Sequence, residues 1–349
     1  MASAERQSQD RRSGRVRGVT IRDVAAAANV DTSTVSKVLS GGNISVRTET
    51  RARIVEAATT LGYRPNATAR SLRMSQTGAF GMLVPDFTNP VYAEIVRGAM
   101  REAETRGRVI LLAELDPGHS PDVYLRLVEE QRIDGLLIAT ARSESPILSL
   151  LENDEVPHVF INRRGTASSL SVINDDEAGA AMGARALIDA GHRRLGLING
   201  PPDIDTARRR LAGFERACHE AGLPPAVVVS GPYSAGGGYA AAKELLTCAC
   251  ERPTGVVVAA LTMALGALAG FAEGGVEVPS DISVVGFDDG ELAAVAQPPL
   301  TCVAMPHDQM GGMAVGLLES VIAGESVESM VVPASPELIS RSSVVAPRH

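Results

Sequence analysis

The chain has no tryptophan and few other aromatics, six Phe and five Tyr in 349 residues. Its interior must therefore be built from Ala, Val, Leu and Ile, and an apolar share of 45% against 21% charged supplies enough for a sizeable core. No apolar run reaches 18 residues, and the Arg-rich positions 1–18 have no apolar stretch behind them. A membrane span or signal peptide is not expected. Cysteines number four. Cys248 and Cys250 have no second pair at metal spacing, so with Cys218 and Cys302 they read as buried, reduced thiols of a cytoplasmic protein. The six His show no metal spacing. No Walker loop, no Gly-x-Gly-x-x-Gly after a strand and no His-Glu-x-x-His is found. No catalytic residues, metal or cofactor are expected.

Charge is divided unevenly. Positions 1–75 hold 13 Lys/Arg against 6 Asp/Glu, a balance of +7, while the remainder holds 20 against 35, a balance of −15. A basic head on an acidic body fits a protein whose head alone meets a polyanion.

The length suits two or three units. Positions 1–18 lack hydrophobic period and read as a disordered arm. Thr20 stands three residues before Asp23, a variant capping box opening a helix to about Ala28. Asp31 caps a second helix, Thr32–Leu39, with Val35, Val38 and Leu39 on one face. A third, Thr48 to Leu61, would bury Ile54, Val55, Ala58 and Leu61 and end at Gly62. A short helix-capable segment and a polar linker follow. Beyond them β-branched runs alternate with amphipathic helices, from Phe80–Val84 to Ile282–Phe287, with helices expected near Pro121–Gln131 and Leu148–Asn153. Two such series in tandem imply two parallel-sheet lobes facing across a cleft.

Val19-Thr20-Ile21-Arg22-Asp23-Val24-Ala25, Thr34-Val35-Ser36-Lys37-Val38-Leu39 and Leu61-Gly62-Tyr63-Arg64-Pro65-Asn66 stand in order at close spacing. Val84-Pro85-Asp86-Phe87-Thr88-Asn89-Pro90, Asp134-Gly135-Leu136-Leu137, Arg210-Leu211-Ala212-Gly213-Phe214 and Val284-Val285-Gly286-Phe287-Asp288-Asp289 follow. The ordered set resembles the lactose-repressor/galactose-repressor family along nearly the whole chain. That resemblance implies a small all-α helix-turn-helix headpiece and an α/β periplasmic-binding-protein-like core of two parallel-sheet lobes. The expected division is an arm at 1–18, a DNA-binding domain at 19–65, a hinge helix and linker at 66–77, and an effector-binding and dimerisation core at 78–349. Lobe one would take about 78–173 and 306–325, lobe two about 174–305 and 330–345.

Helix, short turn and helix with a polar edge is the geometry that places one helix in a major groove. Thr32 and Ser33 begin that helix and Lys37 lies a turn on, offering hydroxyls to base edges and an ammonium to guanine. Ser36 reads equally as a phosphate contact. Thr20, Arg64, Asn66 and Arg70 complete the expected DNA surface, the arginines as phosphate contacts that position the protein. Leu72 matches the family's minor-groove wedge. A hinge helix of about eight residues is unstable alone and should fold only when two copies meet on DNA.

In the core, the resemblance puts effector residues at strand ends facing the cleft. These are Asp86, Asn89, Tyr92, Asn162, Arg210, Tyr233, Asp288 and Met305. Arg210 offers a planar fork of donors and Asp288 accepts from vicinal hydroxyls, which suits a polyol, while the alternative is a mutual interlobe salt bridge. Tyr233 would stack on a ring or simply pack. Asp289 reads as the cap of the next turn, His192 as a helix-end cap, and Gly236-Gly237-Gly238 as a plain helix start rather than an anion cradle. One departure stands out. Where the family commonly has Asn-Asp, this chain has Ala260-Leu261, with Thr262 left to cap the following helix. The usual amide grip on an effector is missing.

The reading is a sequence-specific DNA-binding regulator, a repressor of a carbohydrate-related operon. It would bind a palindromic double-stranded operator as a homodimer, gated by a sugar or sugar-like effector in the interlobe cleft, with no membrane partner. The alternative is a sugar-binding solute receptor without DNA function.

Overall fold

In the computed structural model the described residues are 19–39, 46–63, 77–114, 126–127, 129–130, 132–139, 151, 156–165, 169–248 and 251–348. Two compact units divide the chain, Met1–Thr77 and Gly78–His349. The arm, most of the hinge and linker, and nearly all of the helices expected near Pro121–Gln131 and Leu148–Asn153 lie outside the described residues.

The first unit contains α1 (Ile21–Ala28), α2 (Thr32–Leu39) and α3 (Thr48–Leu61). The Thr20 N–H and hydroxyl both donate to the Asp23 carboxylate at 2.7 Å, closing the amino end of α1. Asn29 turns left-handed at φ 51° to end it. Val24, Val35 and Ile54, one from each helix, are fully buried together with Ala25, Ala28, Val38 and Ala58. Val55 and Leu61, expected inside, are 49% and 37% exposed. A core this small takes only the Ile54–Ala58 row of α3, so the wider apolar stripe faces solvent.

In the second unit the chain builds β1 (Ala79–Val84), α4 (Pro90–Thr105), β2 (Val109–Glu114), β3 (Leu136–Ile138), β4 (His158–Ile161) and β5 (Ser171–Ile173). It crosses to a second lobe made of α5 (Asp176–Asp189), β6 (Leu195–Asn199), α6 (Asp205–Glu220), β7 (Val227–Ser230), α7 (Ala235–Thr247) and β8 (Gly255–Val258). That lobe continues through α8 (Leu261–Glu273), β9 (Ser283–Phe287), α9 (Glu291–Val295) and β10 (Thr301–Ala304). The chain returns to lobe one for α10 (His307–Ile322) and β11 (Met330–Val331), and ends in lobe two with β12 (Glu337–Ile339).

Lobe one is a six-stranded parallel sheet in the order β11-β5-β4-β3-β1-β2. Lobe two runs β12-β10-β9-β8-β6-β7, parallel except for its edge strand β12. β1, β6, β8 and β9 are buried along their whole length, as strands covered by helices on both faces must be. The lobe boundary differs from expectation at one place. Met330 pairs with Val172, so β11 belongs to lobe one and the third crossing comes after it.

Glycines set the helix packing. A Cβ on Gly98 would fall on the Asp308 carbonyl and one on Gly311 on the Ile95 carbonyl, so α4 and α10 touch backbone to backbone. Gly238 against the Met263 carbonyl and Gly266 against the Ala235 carbonyl do the same for α7 and α8. Of the triple glycine at 236–238, Gly238 alone serves that approach, Gly237 lying against the Pro232 carbonyl; at the far end of the same helix Cys248, expected buried, is exposed.

The carboxyl-terminal segment is stitched along lobe two. Ser343, fully buried, donates its hydroxyl to the Val284 carbonyl at 2.6 Å. Asp289 does not cap a turn: its two carboxylate oxygens accept from Arg341 at 2.7 and 3.0 Å. His192 does cap α5, through its backbone N–H, which donates to the Leu187 carbonyl at 3.0 Å. Its buried ring spans the Thr254 hydroxyl and the Val345 carbonyl, each at 2.9 Å.

Candidate functional site

The headpiece presents one polar helix edge. Burial of Val35 and Val38 fixes the rotation of α2 and leaves Thr32, Ser33 and Lys37 exposed, with Ser36 half-buried beside them. Thr20 sits apart from that edge in role, its hydroxyl being donated to Asp23. Arg64, Asn66, Arg70 and Leu72 lie outside the described residues.

In the core, the candidates follow the carboxyl ends of strands, the side of an open α/β sheet where ligands bind. Asn162 comes after β4, Asn174 after β5, Asp288 after β9 and Met305 after β10. Asn162 and Asp288 both take left-handed backbone, φ 66° and 68°, which non-glycine residues adopt at a cost. Each is held there by its own N–H, donated at 2.9 Å to Val172 and to Val303 of the neighbouring strands.

Arg210 is buried and engaged on three sides. Its Nε donates to Asp176 Oδ1 at 2.8 Å, its Nη1 donates to the Ala259 carbonyl, and its guanidinium lies 3.9 Å above the Phe287 ring. Burial opposes that charge, and the Asp176 carboxylate outweighs it, so the arginine's pKa stands above its ordinary value. Asp288, equally buried, faces His307 instead: Nε2 stands 2.7 Å from Oδ1. Burial works against its ionisation, and His307 and then Arg210 more than offset this, holding the carboxyl below its usual range. The mutual Arg210–Asp288 salt bridge weighed from sequence does not form. Each has a closer partner, and the Asp288 Oδ2 is buried without any.

From His307 the bonds run on. Its Nδ1 meets Asn174 Nδ2 at 3.1 Å, and the Asn174 carbonyl accepts from Arg209 Nη1 at 2.9 Å. Arg209 Nη2 donates to the Asn162 carbonyl at 3.0 Å. In lobe one, Arg163 Nη2 donates to the Tyr92 hydroxyl at 3.2 Å. Arg163, Asn174, Asp176, Arg209 and His307 went unread in the sequence. Arg209 was visible only as part of the run Arg208–Arg210, Asp176 as an ordinary acid at a helix start, and His307 belongs to no motif.

Other candidates hold mainly structural posts. Asp86 accepts the Thr88 N–H at 2.7 Å and its hydroxyl at 2.6 Å in a local turn. Asn89 caps α4 through the Val91 N–H at 3.2 Å. Met305 is buried against Gly179 in the lobe-two core. Tyr233 packs half-buried on the same lobe, its hydroxyl 3.4 Å from Thr206 Oγ1 and its ring centroid 6.0 Å from the Arg210 guanidinium. Ala260 and Leu261 are buried in the apolar cluster of lobe two. Ala260 is the uncapped N-cap of α8, and Thr262 does not take over, its hydroxyl being buried without a partner.

Residues 20–66 match the model of the lacI family of bacterial regulatory proteins, and 184–344 match a periplasmic binding protein-like domain. The chain is 34% identical over 332 residues to an HTH-type transcriptional repressor PurR of Aliivibrio fischeri, covering 93% of this chain and 98% of the relative. A PurR of Salmonella paratyphi B is 34% identical over 331 residues, with 93% and 96% covered. Among solved structures, the lac repressor dimer bound to operator and the anti-inducer ONPF superposes with a TM-score of 0.78 at 27% identity, covering 95% of this chain and all of that one. The transcriptional regulator CelR–cellobiose complex gives 0.69 at 31% identity, with 93% and 100% covered. Two matched domains in this order, with relatives aligned end to end, leave one assignment: the chain belongs to the lacI family of bacterial regulatory proteins.

Proposed function

We propose that the protein represses transcription by binding a palindromic operator as a homodimer, under control of a small molecule in the interlobe cleft. The observation that carries the effector reading is the buried, unpartnered Oδ2 of Asp288 beside Arg210, in a cleft where Asn162 Oδ1 and Asn174 Oδ1 also lack partners. Buried acceptors are ordinarily satisfied, and orphans at a strained site ask for a donor from outside. A sugar or similar polyol supplies such donors, and the solved relative with cellobiose binds one. Ala260 and Leu261 are packed into the apolar cluster of lobe two, so the effector would be gripped through Arg210 and Asp288 with no amide at 260.

DNA contact is assigned to Thr32, Ser33, Ser36 and Lys37 for bases and phosphates of the major groove, with Thr20, Arg64, Asn66, Arg70 and Leu72 completing the surface. The solved lac repressor dimer bound to operator supports operator DNA as the partner. For dimerisation, the edge strand β2 exposes Val109 and Leu111 on one face and Leu112 on the other, at 59%, 47% and 41%, apolar surface that a second copy would cover. The protein acts without catalysis, in the cytoplasm where its DNA lies, and among the described residues no helix is long and apolar enough to cross a membrane.

Selection of duplexes from a random pool, followed by anisotropy titration with and without sugars, tests the reading. Sequence-specific binding that shifts with one sugar is the expected result. Absence of any selected duplex, with sugar binding intact, would favour a solute receptor.

A further inference from the structure

Arg209 has no place in the effector reading, yet among the described residues it is the most heavily bonded side chain between the lobes. It projects from α6 of lobe two and is buried. Its Nη2 donates to the Asn162 carbonyl of lobe one at 3.0 Å, and its Nη1 donates to the Asn174 carbonyl of the first crossing at 2.9 Å and to the Asp176 carboxylate. Its Nε donates to Asp205 Oδ2 at 2.9 Å, and that same oxygen accepts the Arg164 N–H of lobe one at 3.3 Å. Each nitrogen of the fork is thus committed to protein, whereas Arg210 shows bonds only through Nε and Nη1. Arg209 therefore offers little to a ligand and a great deal to the joint.

We propose that Arg209 is an interlobe latch, a positioning residue that holds the loop 162–164 of lobe one on α6 of lobe two. The planar guanidinium is what allows one side chain to reach two carbonyls and two carboxylates at fixed angles; an ammonium would satisfy one of them at a time. Asp176 makes the latch sensitive to its neighbour, because its Oδ2 serves Arg209 and its Oδ1 serves Arg210. A ligand drawing on Arg210 would redistribute that shared carboxylate and loosen or tighten the latch. This last link rests on the cleft being the effector site. The latch itself does not, and its test needs no effector.

Hydrogen exchange read by mass spectrometry on the full-length chain, alone in solution, decides the matter. Arg209→Met leaves Asp176 paired with Arg210, so the fold should survive. Amides of 162–165 should then exchange at least about tenfold faster, the loss expected when a charged hydrogen-bond network opens locally. Those of β6 should not change. Arg209→Lys should behave like Arg209→Met, since the charge remains and the fork is gone. Unchanged exchange at 162–165 would overturn the proposal, as would equal acceleration in β6 or full rescue by lysine. Should Arg209→Met fail to fold, Arg209→Lys carries the test alone on the same criteria.

Discussion

His307 Nε2 stands 2.7 Å from Asp288 Oδ1, and with this contact the first turn of a lobe-one helix orients the carboxylate that follows β9 in lobe two. One oxygen of Asp288 is thereby spent on the protein and the other is left for a ligand. Asp288→Asn keeps the shape and removes the charge. Losing a charged hydrogen bond costs about 1.5–3 kcal/mol, so effector affinity should fall roughly ten- to a hundredfold. Operator affinity of the free protein should stay within a few-fold, because effector and operator are coupled only through the two states they prefer. Calorimetry and anisotropy on the same preparation check both. Arg210→Ala is the poorer variant, since Arg210 also holds Asp176, the Ala259 carbonyl and the Phe287 ring.

His192 makes the carboxyl-terminal stitch sensitive to acid. Burial depresses its pKa, and the Val345 carbonyl only partly counters this. The unfolded chain takes up a proton near about pH 6.5 that the native ring refuses, so stability is fully present above that pH and is lost as pH falls below it. Thermal midpoints should drop between about pH 7 and pH 5, and His192→Asn should flatten that part of the profile. An unaltered slope in the variant would assign the acid lability elsewhere.

Ala260 is an N-cap without a capping side chain, in extended backbone at φ −161° and ψ 149°. Ala260→Ser should therefore stabilise the core by about 1 kcal/mol, through a hydroxyl accepting a free N–H in the first turn of α8. A lowered melting temperature would mean that the hydroxyl is trapped in the apolar cluster unsatisfied.

Thr32→Ala and Ser33→Ala should each weaken binding to the selected operator by about 1–3 kcal/mol and leave random duplex almost unaffected. The salt dependence of both proteins should remain steep, with a log–log slope of about −0.9 for each phosphate neutralised. A slope near zero would remove the +7 balance of positions 1–75 from the account.

Leu111→Asp places a carboxylate in the exposed apolar surface of β2. Sedimentation should show the variant as monomer where the parent is dimer, with operator affinity lost in proportion. A dimer unaffected by the change would move the interface to another face.

Much of this protein was legible in its sequence. The capping pair Thr20–Asp23, the rotation of α2 fixed by Val35 and Val38, and the alternation of β-branched runs with helices are local signals, and each forms as written. The weak readings were those where local pattern is thin. Strands such as Ser171–Ile173 are too short to alternate, whereas the helix His307–Ile322 carries Met310, Ala314, Val315, Leu317 and Leu318 at helical spacing on its buried face and went unread.

The pairing of charges was a different matter. The family resemblance placed Arg210 and Asp288 in one cleft, and only the tertiary structure decided that Asp176 takes the first and His307 the second. These partners lie 34 and 19 residues away in the chain, and which of several acids meets an arginine depends on how three crossings bring two sheets together. Local periodicity carries no information about that. Periodicity fixes which face of an element is buried; the packing of lobe on lobe fixes which buried charges meet.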